Sequence, residues 1–204
     1  MDALLGNFTA QLLATSTLEW LAVALAVAYI VLAGRQHMAC WPSAFISTAI
    51  YTYLFWQVTL PFQAGLNVFY MLMAIYGWWQ WGKVANTPHR VNRLPWSRHV
   101  LLIPGLFAIA WLLATLVAPQ FNSDMLLLDA TINVFSIATT FMVAHRYIEN
   151  WLYWIVINSA SLYLYYQSGL ALTAVLFGLY VVFAVYGYWQ WLRRENRDGS
   201  AATC

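Results

Sequence analysis

The sequence predicts an all-α integral membrane protein with seven transmembrane helices in a 3+1+3 arrangement: two parallel three-helix-bundle repeats joined by one linker helix. Three observations predict it. The 204-residue chain is 63% hydrophobic and only 8% charged, whereas a typical soluble domain is about 25% charged. Its apolar residues gather in long continuous stretches, not in the alternating segments of about 10 residues that a transmembrane barrel would show. The chain also matches itself at an offset of 110 residues. Nine basic and seven acidic residues cannot clothe a water-facing surface of this size, which excludes ordinary soluble enzymes, nucleic-acid binders and disordered proteins. The whole length, 1–204, reads as one membrane domain.

A spanning helix needs roughly 20 mostly apolar residues. The first such stretch, 17–34, follows no basic run and lies too far along the chain for a signal peptide, so it reads as a retained span. Before it, residues 3–15 put Leu4, Leu5, Phe8, Leu12 and Leu13 on one side, as a short interfacial helix would. Stretches 39–57 and 63–82 complete a first repeat, 17–82. Residues 83–98 are polar and broken by Pro88 and Pro95, and with stretch 99–117 they form a loop and linker helix, 83–117. Stretches 125–144, 150–168 and 170–191 make the second repeat, 125–191, followed by a tail, 192–204.

The basic residues orient these spans. Arg35, Lys83, Arg90, Arg93, Arg98, Arg146, Arg193, Arg194 and Arg197 all fall on one side of the membrane when seven spans are drawn. The excess of Lys and Arg in cytoplasmic segments then places the N-terminus outside and the C-terminus inside. Cys40 and Cys204 fall on the cytoplasmic side, where thiols stay reduced, and form neither a metal-ligand spacing nor a disulfide framework.

The 110-residue offset lays Tyr76-Gly77-Trp78-Trp79-Gln80-Trp81 on Tyr186-Gly187-Tyr188-Trp189-Gln190-Trp191, Trp41 on Trp151, and Tyr70 on Tyr180. Across 41–81, 14 of 41 positions are identical, where biased composition alone would give about three or four. Spans 1–3 therefore match spans 5–7. A bare tandem of three-helix units would be inverted, and the leftover span 4 restores the orientation, which makes the repeats parallel. Parallel repeats occur in transporters, with the substrate site near the midplane between the halves.

Polar residues inside spans mark candidate function. Trp151, Trp154 and Asn158 lie at i, i+3 and i+7, on one helical face. Asn133, Ser136 and Thr140 repeat that spacing in span 5. Span 3 offers Asn67, Tyr70 and Gln80, and span 7 offers Tyr180 and Gln190. Asn133 and Asn158 fall nearest mid-depth, and a carboxamide both donates and accepts, which suits a ligand with hydroxyl and amide groups. Ser47, Thr48 and Ser136 are equally well read as helix–helix glue, and Trp78 and Trp81 as an interfacial belt. Gly65, Gly77, Gly178 and Gly187 allow close helix contact, and Pro42 and Pro61 suit helix ends.

No Asp, Glu, Lys, Arg or His occupies the middle of a span, so no proton relay or carboxylate cage is expected. Glu19 and Asp129, equivalent in the repeat, mark the outer ends of spans 1 and 5. The only lysine is Lys83, in a loop, and the four histidines sit on or beside cytoplasmic loops. No HExxH, phosphate-loop or nucleophile-elbow pattern occurs. Neither an enzyme nor a bound cofactor or metal is expected.

The run His145-Arg146-Tyr147-Ile148-Glu149-Asn150-Trp151-Leu152-Tyr153-Trp154-Ile155-Val156-Ile157-Asn158 resembles the signature of the PnuC family of bacterial nicotinamide riboside transporters. Tyr76-Gly77-Trp78 and Asp129 also look like that family. The resemblance covers the whole chain and is tighter in spans 5–7; in the first repeat Trp41 survives, but Ala44 and Thr48 stand where Trp154 and Asn158 stand. It implies a fold related to the sugar-carrying SWEET proteins, a homotrimer in the bacterial inner membrane, and facilitated diffusion of nicotinamide riboside, a vitamin B3 form and NAD precursor. Uptake would be drawn by a ribosylnicotinamide kinase that need not touch the transporter. By the motif match Trp151, Trp154 and Asn158 contact substrate, while Glu149 and Asn150, at the membrane edge, gate or support the site, as does Asp129. A transporter of another nucleoside or sugar-like solute, and a seven-helix receptor, are the alternatives, since a fold does not fix a substrate.

Overall fold

The computed structural model describes residues 17–57, 61–83, 91–117, 125–167 and 171–201. Among them run seven helices: α1 (Thr17–Gly34), α2 (Cys40–Gln57), α3 (Pro61–Gly82), α4 (Trp96–Val117), α5 (Leu126–Ala144), α6 (Asn150–Gln167) and α7 (Ala171–Ala201). The expected interfacial helix at 3–15 and the Pro88 break lie outside the described residues. α3 begins on Pro61, where the missing N–H costs nothing. Pro42 stands in the first turn of α2 for the same reason.

Four helical stretches, Thr17–Gly34, Trp96–Leu116, Leu126–Ala144 and Ala174–Arg197, are long and apolar enough to cross a membrane. α2, α3 and α6 fall short of that mark because Ser, Thr, Asn, Gln, Tyr and Trp replace aliphatic residues along them. α2 and α6 are also the middle helices of their bundles. α2 packs on both α1 and α3, and α6 on both α5 and α7. A helix screened by two neighbours can carry polar groups that a lipid-facing helix cannot.

The chain divides into two compact units, Met1–Lys83 and Val84–Cys204. In the first, the Ser47 hydroxyl donates to the Ala22 carbonyl at 2.8 Å and joins α2 to α1. The Trp41 indole lies against α3 at Gly77: a Cβ there would come within 2.2 Å of an indole ring carbon. Trp41 meets Trp81 edge-on, with ring centres 5.2 Å apart.

The second unit holds the same arrangement. Trp151 lies against Gly187, where a Cβ would come within 2.5 Å of the ring, and meets Trp191 edge-on at 5.7 Å. The turns that launch α2 and α6 also match. Gln36 and Arg146, 110 residues apart, take positive φ angles of 54° and 57°. After each, the next N–H returns to the carbonyl five residues back, His37 to Leu32 at 2.9 Å and Tyr147 to Met142 at 3.0 Å. This is the Schellman end of a helix, with a buried non-glycine residue in the left-handed position that glycine usually takes.

α4 belongs to the second unit. Leu106 and Ala110 of α4 pack with Val134 and Phe135 of α5 and Ile157 of α6, and Phe107 sits edge-on to Phe135 at 5.0 Å. Its buried His99 meets the Tyr153 hydroxyl through Nδ1 at 2.8 Å.

The last helix exceeds the span expected from hydropathy. α7 runs 31 residues, or about 46 Å at 1.5 Å per residue, past the hydrocarbon thickness of about 30 Å. The charged stretch 192–197, expected as a tail, continues the helix because nothing in it breaks one. Arg193 stacks on Trp189 one turn back, as Lys83 stacks on Trp79 at the end of α3.

Candidate functional site

The α5–α6 turn carries the residues of the Tyr-x-Glu-Asn-Trp motif, and each has a visible task. Asn92, from the segment before α4, lies alongside the turn: its N–H donates to the Arg146 carbonyl at 2.9 Å, and its carbonyl accepts from the Ile148 N–H at 3.0 Å. Its side-chain amide donates to the His145 carbonyl at 2.7 Å. Glu149 Oε2 accepts from the Leu94 N–H at 3.0 Å. The fully buried Asn150 donates through Nδ2 to the Tyr147 carbonyl at 2.6 Å. Arg93 binds Glu195 of α7 with both ends of its guanidinium, the Nη2–Oε2 contact being 2.7 Å, and that bond raises the arginine's pKa above its ordinary value. Residues 92–94 therefore form a strap across the turn and onto α7. No residue pattern announced this strap; Asn92 in a polar loop reads as a solvated residue.

One turn into α6 the motif changes character. Trp151, expected to contact substrate, is 4% exposed and seated on Gly187. Trp154, on the next turn, is half-buried and packs against the α4–α5 cluster. Asn158 is 6% exposed, and no hydrogen bond of its carboxamide is found among the described residues. Its amide atoms are not sealed from solvent; the polar atoms of this helix that are sealed without a partner are Asn150 Oδ1 and Trp151 Nε1, and orphaned groups of that kind cost about 1–3 kcal/mol each.

Asn133 of α5 is half-buried, and its Nδ2 donates to the Asp129 carbonyl at 2.9 Å and to the Asp129 carboxylate at 3.1 Å. Its donor side is thus engaged toward its own helix. Asn133 and Asn158 do not bond each other, yet their chain neighbours Val134 and Ile157 meet in one apolar cluster, so the two carboxamides lie at similar depth on adjoining helices. On α7, Tyr180 is half-buried against Phe177, and Gln190 donates to the Tyr186 hydroxyl at 2.9 Å. In the first unit Asn67, Tyr70 and Gln80 are half-buried along α3. Thr48, the counterpart of Asn158, is bonded within its own helix to the Ala44 carbonyl at 2.8 Å. Among the described residues no group of three or more His, Cys, Asp or Glu is placed to hold a metal. The expected site residues of the second unit offer indoles, phenols and carboxamides, with the Asp129 carboxylate hydrogen-bonded to Asn133.

Comparison with known proteins agrees with these features. The Escherichia coli K12 nicotinamide riboside transporter PnuC is 21% identical over 198 residues, covering 84% of this chain and 83% of the relative. The riboflavin/roseoflavin transporter RibM of Streptomyces davaonensis is 26% identical over 172 residues, covering 80% and 79%. Among solved structures, that of the vitamin B3 transporter PnuC matches with a TM-score of 0.69 and 22% identity, covering 88% of this chain and 82% of that one; this likeness establishes the fold. The family model described as nicotinamide mononucleotide transporter matches residues 16–193. The chain is therefore a member of the nicotinamide mononucleotide transporter family, whose proteins are membrane transporters.

Proposed function

We propose that the protein is a uniporter for nicotinamide riboside in the bacterial inner membrane, N-terminus out and C-terminus in, working by alternating access of two three-helix repeats in a 3+1+3 chain. The observation that carries this reading is Asn158: a buried carboxamide without a hydrogen bond among the described residues, close along one helix to the Trp154 ring. A ligand that supplies hydroxyl and amide groups repays the desolvation of that side chain, and an aromatic ring holds a pyridinium for about 0.5–2 kcal/mol without a buried carboxylate. Trp154 and Asn158 are the first candidates for substrate contact, with Asn133, Asn67, Tyr70, Gln80, Tyr180 and Gln190 supporting. Trp151 contributes by fixing α6 on α7.

The same chemistry favours the riboside over its phosphorylated form. No Lys, Arg or His lies in the middle of a span, and an unpaired phosphate in low dielectric is expensive. Phosphorylation by a ribosylnicotinamide kinase inside the cell would trap the substrate with no pump, and three copies of the chain would assemble as a homotrimer. The similarity to RibM favours a second reading, a flavin as cargo.

Uptake of externally added labelled nicotinamide riboside by proteoliposomes, with and without entrapped kinase and ATP, tests the proposal. Equal concentrations inside and outside without kinase, and accumulation with it, are expected. Accumulation above equilibrium without kinase would overturn the uniport mechanism, and uptake of riboflavin but not of the riboside would replace the substrate.

A further inference from the structure

At the end of the second unit opposite the strap stands a carboxylate that the transport scheme leaves unused. Asp129 lies in the first turn of α5, exposed, with Asn133 Nδ2 bonded to it at 3.1 Å. Among the described residues no cationic side chain pairs with it, and by sequence every Lys and Arg belongs to the other side of the seven-span reading. α5 and α6 are antiparallel neighbours whose Val134 and Ile157 share one cluster, so Asp129, five residues before Val134, and Tyr165, eight residues after Ile157, lie toward the same end of the unit. Tyr165 stacks on Phe177 of α7 at 5.1 Å with the rings 21° from parallel, and Phe177 meets Tyr180 edge-on at 5.6 Å. All three rings are half-buried, so part of each remains open.

A carboxylate without a counter-ion beside a run of ring faces is the chemistry that recognises a flat, delocalised organic cation. The rings attract the cation through their quadrupoles, and the carboxylate adds a Coulomb term that a neutral ring of the same shape does not feel. We propose that Asp129, held by Asn133 at the same end of the second unit as Tyr165, Phe177 and Tyr180, is a specificity-determining residue that selects a cationic N-heterocyclic nucleoside over its uncharged counterpart at the entry side of that unit. The inference rests on the riboside reading and deepens it. A flavin, neutral at physiological pH, would gain nothing from Asp129.

The test uses the full-length protein in proteoliposomes at zero membrane potential, with two substrates of nearly the same shape: nicotinamide riboside, a cation, and its 1,4-dihydro form, which is neutral. The unmodified protein is expected to show the lower KM for the cation. Asp129→Asn should raise that KM about fivefold to tenfold and shift the KM for the dihydro form by less than twofold, so that the ratio of the two is the readout. Asp129→Glu should restore the preference for the cation, which a merely structural role for the aspartate would not require. An equal loss on both substrates, or no change on either, overturns the assignment and leaves the riboside reading intact. Transport of neither form by the unmodified protein overturns that reading and the inference with it.

Discussion

In α1–α3 the Trp41 indole rests on Gly77 and meets Trp81 edge-on, and in α5–α7 Trp151 rests on Gly187 and meets Trp191 in the same way. The turns at Gln36 and Arg146 repeat bond for bond. The polar chemistry around these frames does not repeat. Ala39 stands where Glu149 takes the Leu94 N–H. Thr48, tied to its own helix, stands where Asn158 is buried with no bond among the described residues. The comparison separates two kinds of residue within one motif. Those common to both units seat the middle helix on the last one, and those confined to the second unit either fasten the segment before α4 to the α5–α6 turn or, like Asn158, make no hydrogen bond among the described residues.

The strongest test of the shared frame is to fill the notch. Gly77→Ala and Gly187→Ala each drive a Cβ into indole carbons that belong to a rigid ring. Overpacking of this kind costs about 1–3 kcal/mol, against which alanine's better helix propensity returns less than about 1 kcal/mol. Both variants are expected to melt several degrees lower in detergent and to lose most transport. The same alanine at Gly65, where nothing lies within 4 Å, should leave melting unchanged or slightly raised. Divergent behaviour of Gly77→Ala and Gly187→Ala would break the equivalence of the two units.

The next largest effect belongs to the position at which the repeats differ. Asn158→Ala is expected to raise the KM for nicotinamide riboside by about tenfold or more, the worth of a buried hydrogen bond, with the melting temperature held or improved because an unpaired amide is removed. Thr48→Ala should change KM by less than twofold. Unchanged substrate affinity in Asn158→Ala would take that side chain out of the site.

How much of this was legible follows from which groups make each contact. The recurrence of Trp41 and Gly77 as Trp151 and Gly187 was readable from the 110-residue offset, but the notch was not: sequence does not show that each indole seats on its glycine, nor that Trp81, which reads as an interfacial belt, is buried against Trp41. The face shared by Trp151, Trp154 and Asn158 was readable from spacing, but spacing does not say that Trp151 turns into Gly187 while Trp154 meets the α4–α5 cluster. The strap was invisible because most of its bonds use a backbone group on at least one side, so that any residue but proline at 94 supplies the N–H that Glu149 accepts across 55 positions of chain, and because spacing does not pair Arg93 with Glu195 across 102 positions. The extension of α7 was hidden by its own charge, which ends a hydropathy run without ending a helix.

The strap gives the smaller effects. Glu149→Ala removes a half-buried, charge-assisted acceptor, a loss of about 1.5–3 kcal/mol at most, and the Leu94 amide must then find water. A modest fall in melting temperature is expected, with substrate KM nearly unchanged if the residue supports the site and does not line it. A Glu149→Ala variant with normal melting but a raised KM would move this residue from the frame to the pocket. Glu195→Gln, at the far end of the strap, should do less still. Its partner Arg93 is more than half exposed, and pairs of that kind contribute about 0.2–1 kcal/mol and weaken with salt. The melting difference between this variant and the unmodified protein should shrink as salt is raised, whereas that of Glu149→Ala should not. A salt-independent loss from Glu195→Gln would mean that α7 depends on the strap as strongly as the α5–α6 turn does, and the second unit would then be closed by the strap as well as by the Trp151–Gly187 contact.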